Sequence, residues 1–205
     1  AQLRRVPEKA MKVILLGPQG AGKGTQAQRL AEEVGATHIS TGDIVRAEIK
    51  SGSELGKKVQ DYNDRGELVP DEVIIDMVLE RLGEEDCAGG FVLDGFPRTV
   101  PQAEALGKRL DELGRPLDVV VSLEAGEDEL RRRLAARAEE QDRAEDDDEG
   151  AIRRRLELFD RETEPLLDFY DGQGLLVGVD AEGDVDQVTG RIAAALDGRG
   201  DQGAA

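Results

Sequence analysis

The chain has 205 residues, 27 basic against 45 acidic, a formal charge of −18, 39% hydrophobic residues and a single cysteine, Cys87. This length suits one α/β domain with small inserts and leaves too little chain for two full domains, while so acidic a surface argues against general binding to nucleic acid or anionic membranes. No stretch approaches the roughly 18 apolar residues that span a bilayer, residues 1–10 lack the apolar core of a signal peptide, and one cysteine builds neither an internal disulfide nor a thiolate metal cage. The expectation is a soluble, cytoplasmic, monomeric protein. Its acids are spread along the whole chain and only seven of its basic residues are lysines. Such a pattern suits a salt-rich cytoplasm, and it also follows from the coding bias of a GC-rich genome.

In chain order, short apolar runs at 12–16, around 37–40, and at 91–94, 118–123 and 175–179 read as strands with helix-type segments between them. Near-continuous apolar strands alternating with helices predict a five-stranded parallel sheet covered on both faces, a three-layer α/β/α fold. The first strand feeds Gly17-Pro18-Gln19-Gly20-Ala21-Gly22-Lys23-Gly24-Thr25. A glycine loop between a buried strand and a helix lets backbone N–H groups and the positive end of the helix surround a polyphosphate, which predicts a nucleoside triphosphate site. Gly24 stands where the general P-loop pattern has a metal-binding hydroxyl, with Thr25 one residue later. That departure suggests a metal held mainly by phosphate oxygens and water.

Residues 42–82 read as several short helices joined by Ser51-Gly52-Ser53 and Arg65-Gly66. The stretch 138–150 is too polar to pack and is either a solvated charged loop or a mobile flap over a ligand. Over 151–171, Ile152, Leu156, Phe159, Thr163, Leu166 and Tyr170 recur at helical spacing, with a kink expected at Pro165. Asp197 to Ala205 is expected to be a frayed tail, Cys87 a half-buried thiol and His38 structural.

Four more clusters accompany the loop. Ser40-Thr41-Gly42-Asp43-Ile44-Val45-Arg46 opens the helical segment, Asp94-Gly95-Phe96-Pro97-Arg98-Thr99 follows the third strand, Gln102 comes four residues after Arg98, and Arg133, Arg137, Arg143 and Arg155 lie around the acidic stretch. In this order, from about Met11 to about Leu196, the motifs closely resemble those of the adenylate kinases in their short-lid form. The resemblance implies ATP + AMP ⇌ 2 ADP with Mg²⁺, within a single P-loop kinase domain (core about 11–196) that carries an NMP-binding insert at 40–69 and a short lid at 137–150.

It also implies roles residue by residue. Lys23 reaches the β- and γ-phosphates of ATP, and the amides of Gly20, Ala21, Gly22, Lys23, Gly24 and Thr25 hold its phosphates. Arg46 and Arg98 clamp the AMP phosphate, because guanidinium forks fit phosphate oxygens. Arg137, Arg143 and Arg155 close around the transferring group, Arg154 being the neighbour that a one-residue shift would substitute for Arg155. Asp94 orients Mg²⁺ through water. Gln102, Thr41 and the segments Glu67-Leu68-Val69 and Gly95-Phe96-Pro97 line the AMP pocket. Arg133 stacks on the ATP adenine, whose amino group the Gly178 carbonyl accepts. With only about a dozen lid residues and Cys87 elsewhere, a zinc-bearing lid is excluded.

The nearest alternative is a UMP/CMP kinase of the same fold, although Thr99, Thr41 and Gln102 fit the adenylate pattern better. A P-loop switch GTPase lacks its guanine-reading N-K-x-D, since the only asparagine is Asn63. A dead nucleotide-binding protein would be expected to have lost a clamp arginine or Lys23.

Overall fold

A computed structural model of the chain describes residues 11–64, 69–141, 159, 161 and 163–200. Among them, β1 (Lys12–Leu16), β2 (Thr37–Ser40), β3 (Phe91–Asp94), β4 (Val119–Glu124) and β5 (Leu176–Asp180) form one sheet in the order β2-β3-β1-β4-β5. Every pairing is parallel. The first three strands lie where the apolar runs place them. The last two start one residue later than expected. Before β4, Asp118 is used otherwise: its carboxylate accepts from the Lys12 backbone N–H at 2.8 Å and pairs with the Lys12 ammonium at 2.8 Å.

The helices are α1 (Lys23–Val34), α2 (Thr41–Ser51), α3 (Glu54–Asp64), α4 (Asp71–Leu82), α5 (Val100–Glu112), α6 (Glu127–Gln141), α7 (163–171) and α8 (Val185–Gly200). They cover the sheet in two layers because β1 alternates its side chains between faces. Val13 and Leu15 join one core with Leu30 of α1, Leu134 of α6 and Ile192 of α8. Ile14 and Leu16 join the other with Val78 of α4, Leu106 of α5 and Leu166 of α7. Each fully buried aliphatic side chain of this kind contributes about 1.5–3 kcal/mol. That explains why β1 reads as an unbroken apolar run.

Chain connections from β1 to β2 and from β3 to β4 leave in opposite directions along the sheet, so a crevice opens at the C-terminal ends of β1 and β3. Residues 42–82 carry α2, α3 and α4, with no strand among those described. Three expectations are corrected. Asp197 to Gly200 continue α8 rather than fraying. Cys87 is fully buried, with the Arg81 guanidinium 2.9 Å from its sulfur, and burial pushes the thiol up to about 11. Residues 138–141 of the acidic stretch continue α6 rather than forming a loop, and 142–150 lie outside the described residues. No described helix is long and apolar enough to cross a membrane.

Candidate active site

The glycine loop is shaped by its own crowding. Gly17 has φ +149°, and a Cβ there would lie 2.9 Å from the Leu123 carbonyl oxygen and 3.1 Å from its Cβ, so the turn out of β1 excludes any side chain. Gly22 caps α1 in the left-handed region at φ 85° and offers no side chain to the first-turn amides. Those amides have no intrahelical acceptor and carry the positive end of the helix dipole. The first turns of α2, α4 and α6 contain acids; that of α1 contains none. Even in so acidic a chain, no acid of the helix's own first turn competes with an incoming phosphate. The Lys23 ammonium donates to the Pro18 carbonyl at 2.8 Å, which folds the side chain back over the loop.

Asp94 ends β3 beside this loop. A Cβ on Gly24 would meet only Asp94 Oδ2, at 3.6 Å, so Gly24 leaves room between the helix start and the carboxylate. Burial pushes the Asp94 carboxyl above the usual carboxylate range, against the opposing pull of Lys23, His38 and Arg98. His38 lies at this corner, and its buried Nε2 has no hydrogen-bond partner among the described residues.

On the acceptor side, the left-handed Gly95 (φ 83°) turns the chain out of β3, and Phe96-Pro97 follows with a cis peptide bond, Phe96 fully buried. Arg98 Nε donates to the Gly95 carbonyl at 3.0 Å, and the Arg98 backbone N–H donates to Gln102 Oε1 at 2.8 Å. Gln102 is buried and its Nε2 donates to Asp71 at 2.6 Å. Thr41, also buried, donates its hydroxyl to the Asp94 carbonyl at 3.2 Å and so ties α2 to the end of β3. Ser40 caps α2 by accepting from the Asp43 N–H at 3.4 Å, while exposed Arg46 pairs with Asp43 at 2.5 Å. Val69 is half-buried ahead of α4.

The donor-base side centres on Arg133. Its Nε donates to Glu129 at 2.6 Å, Nη1 to Gly20 O at 3.5 Å, and Nη2 to Ala181 O at 2.9 Å and Gly183 O at 3.1 Å. One guanidinium thus joins the glycine loop to the turn after β5, the strand that carries Gly178, paired with Ser122. Glu129 also holds Arg132 at 2.8 Å, and these two guanidiniums keep its carboxyl well below the usual range, at about 2. Arg132 itself points to solvent. Arg137 belongs to α6, its side chain lying outside the described atoms; Arg143, Arg155, Glu67 and Leu68 lie outside the described residues altogether.

A single cleft gathers Gln19, Lys23, Gly95, Pro97, Arg98 and Phe159. It brings the lysine of the first motif to the arginine of the third across the ends of β1 and β3. Sequence reasoning missed Gln19, which occupies a position that the loop pattern leaves unspecified, and read Phe159 only as part of a helix's apolar face. It also missed Asp71 and Glu129. Neither sits in a motif, and folding alone places them against Gln102 and Arg133.

A parallel sheet with a glycine loop at its central strand, an uncapped helix start and a lysine–arginine cleft defines a P-loop nucleotide phosphotransferase. The adenylate kinase family model matches residues 15–175. The chain is 52% identical to the adenylate kinase of Thermobifida fusca (strain YX) over 189 residues, 92% of this chain and 100% of that one. It is 49% identical to the adenylate kinase of Stenotrophomonas maltophilia (strain R551-3) over 188 residues, 92% and 100% of the two chains. With that of Methanosarcina barkeri (strain Fusaro / DSM 804) it shares 44% over 211 residues, 91% and 98%. The chain belongs to the adenylate kinase family, nucleoside monophosphate kinases whose reaction is ATP + AMP ⇌ 2 ADP.

Proposed function

We propose that the cleft at the ends of β1 and β3 carries this reaction with ATP on the loop side and AMP on the Arg98 side. The observation that supports it most is the convergence of Lys23 and Arg98 on one cleft. Phosphoryl transfer is mostly positioning and charge neutralisation, so these cations do the chemical work. The amides from Gly20 to Thr25 and Lys23 bind the donor phosphates. Arg98 and Arg46 bind the acceptor phosphate, Arg46 exchanging its exposed partner Asp43 for it. Arg137, Arg143 and Arg155 complete the charge around the transferring group, and the lid, 137–150, excludes water when it closes. The insert, 40–69, presents Thr41 and the Glu67–Val69 segment to AMP. Arg133 and Gly178 flank the donor adenine.

Asp94 and the space beside Gly24 fit a hydrated Mg²⁺: a carboxylate faces the start of α1, and no side chain fills the gap. When bound, the ion would supply neutralisation of phosphate charge, and Asp94 would hold it by accepting hydrogen bonds from its water ligands. We further propose a cytoplasmic monomer, and a surface suited to salt, with activity and stability rising from low to molar KCl.

The test of the assignment is competition among AMP, UMP, CMP and GMP as acceptors with Mg-ATP. AMP is expected to give the highest kcat/KM, and faster turnover of UMP or CMP would replace the assignment with the pyrimidine-nucleotide alternative.

A further inference from the structure

Gln102 is positioned by two groups whose hydrogen-bonding character cannot be exchanged. The Arg98 backbone N–H, 2.8 Å from Oε1, only donates, and the Asp71 carboxylate, 2.6 Å from Nε2, only accepts. Turning the amide by 180° would set an NH₂ against an N–H and a carbonyl oxygen against a carboxylate. Both contacts become repulsive, so the surroundings assign oxygen and nitrogen without ambiguity. Asp71 is itself held at its other oxygen by the Thr99 hydroxyl at 3.2 Å. With these contacts made, Gln102 retains one lone pair on Oε1 and one N–H on Nε2 that have no partner among the described residues.

An acceptor beside a donor is what an adenine edge requires. Adenine offers its exocyclic N–H beside the acceptor N1, whereas a 6-oxopurine offers a carbonyl oxygen beside N1–H, the reverse order. An amide free to flip serves both purines; a locked one serves adenine and opposes the other. We propose that Asp71 is a positioning residue that sets acceptor-base selectivity, holding the Gln102 amide in the orientation that matches AMP and rejects IMP or GMP. The inference rests on the assignment of Gln102 to the acceptor base. Asp71 starts α4 immediately beyond the 40–69 segment, 31 positions from Gln102, so no motif couples the two.

The experiment is steady-state kinetics of the full chain with AMP and with IMP as acceptor at saturating Mg-ATP, and with Mg-ATP varied at saturating AMP, for wild type, Asp71→Ala, Asp71→Asn and Gln102→Ala, with melting curves alongside. In Asp71→Ala the AMP KM is expected to rise about tenfold, the loss of one charge-assisted hydrogen bond, and the AMP/IMP ratio of kcat/KM to contract by a similar factor. The ATP KM stays unchanged. Asp71→Asn keeps an acceptor oxygen, but its amide can also turn and offer NH₂ to Gln102, so its selectivity is expected to fall between those of wild type and Asp71→Ala. A structural role alone would shift the melting curve and both KM values while leaving the AMP/IMP ratio intact, and that result overturns the proposal. If Gln102→Ala raises the AMP KM while Asp71→Ala leaves the ratio at the wild-type value, the positioning role alone fails. If Gln102→Ala leaves the AMP KM unchanged, the base assignment fails with it.

Discussion

Replacing Arg98 with alanine is expected to lower phosphoryl transfer about 10³-fold, and the magnitude follows from how the side chain is held. Its Nε donates to the Gly95 carbonyl at 3.0 Å, which turns the guanidinium so that both terminal nitrogens remain without partners among the described residues, within the cleft that Lys23 also lines. Two charge-assisted hydrogen bonds to a phosphate are worth about 1.5–3 kcal/mol each, so losing both removes about 3–6 kcal/mol. At about 1.4 kcal/mol per decade this spans roughly 10² to 10⁴ in kcat/KM for AMP. The Gly95 carbonyl left behind is open to water, so the melting temperature should barely move. Arg98→Lys keeps the charge but loses the fork and the Nε anchor, and should recover less than about tenfold of the deficit. Initial rates in both directions with AMP or ADP varied measure the effect, with a melting curve to verify folding. A loss under tenfold in a folded variant would show that Arg98 does not clamp the acceptor.

Asp94→Asn should stabilise the free protein at neutral pH while lowering Mg-dependent turnover by about 10- to 100-fold. Burial raises the folded-state pKa of this carboxyl, so the stability it contributes is present below the unfolded value of about 3.9 and is lost as pH rises through the raised one. The stability gap between variant and wild type should therefore close on acidification; a gap that widens refutes the burial argument. Tyr170 is 1% exposed and its hydroxyl has no partner among the described residues. Tyr170→Phe should remove a penalty of about 1–3 kcal/mol and raise Tm by about 2–12 °C with kcat unchanged; a lower Tm would mean the hydroxyl is satisfied. Gly17→Ala should cost about 2–4 kcal/mol through the clash with Leu123 and the positive φ, and raise the ATP KM. Wild-type values of both would show that the turn tolerates a side chain.

Much of the fold was legible because its signals are local. Val13 to Leu16 needed only to be buried on both faces to read as a central parallel strand. Asp118 shows the limit: its carboxylate takes Lys12, 106 positions away, as its partner, a pairing that no local signal announces. Cys87 was misjudged for a similar reason, since Arg81 and the second core enclose it only after folding.

From Gly17 to Thr25 the chain determined its own phosphate cradle, because backbone amides of consecutive residues and the start of one helix need no distant partner to take shape. Tertiary structure alone decided which side chains meet from separate elements. Arg133 reaches Gly20 across 113 positions, Gln102 meets Asp71 across 31, and Phe159 turns from core residue to cleft wall. Amphipathic period tells which face of a helix is buried. It does not tell how far that helix rotates and slides against its neighbours, and that packing decides which carboxylate orients which amide or guanidinium.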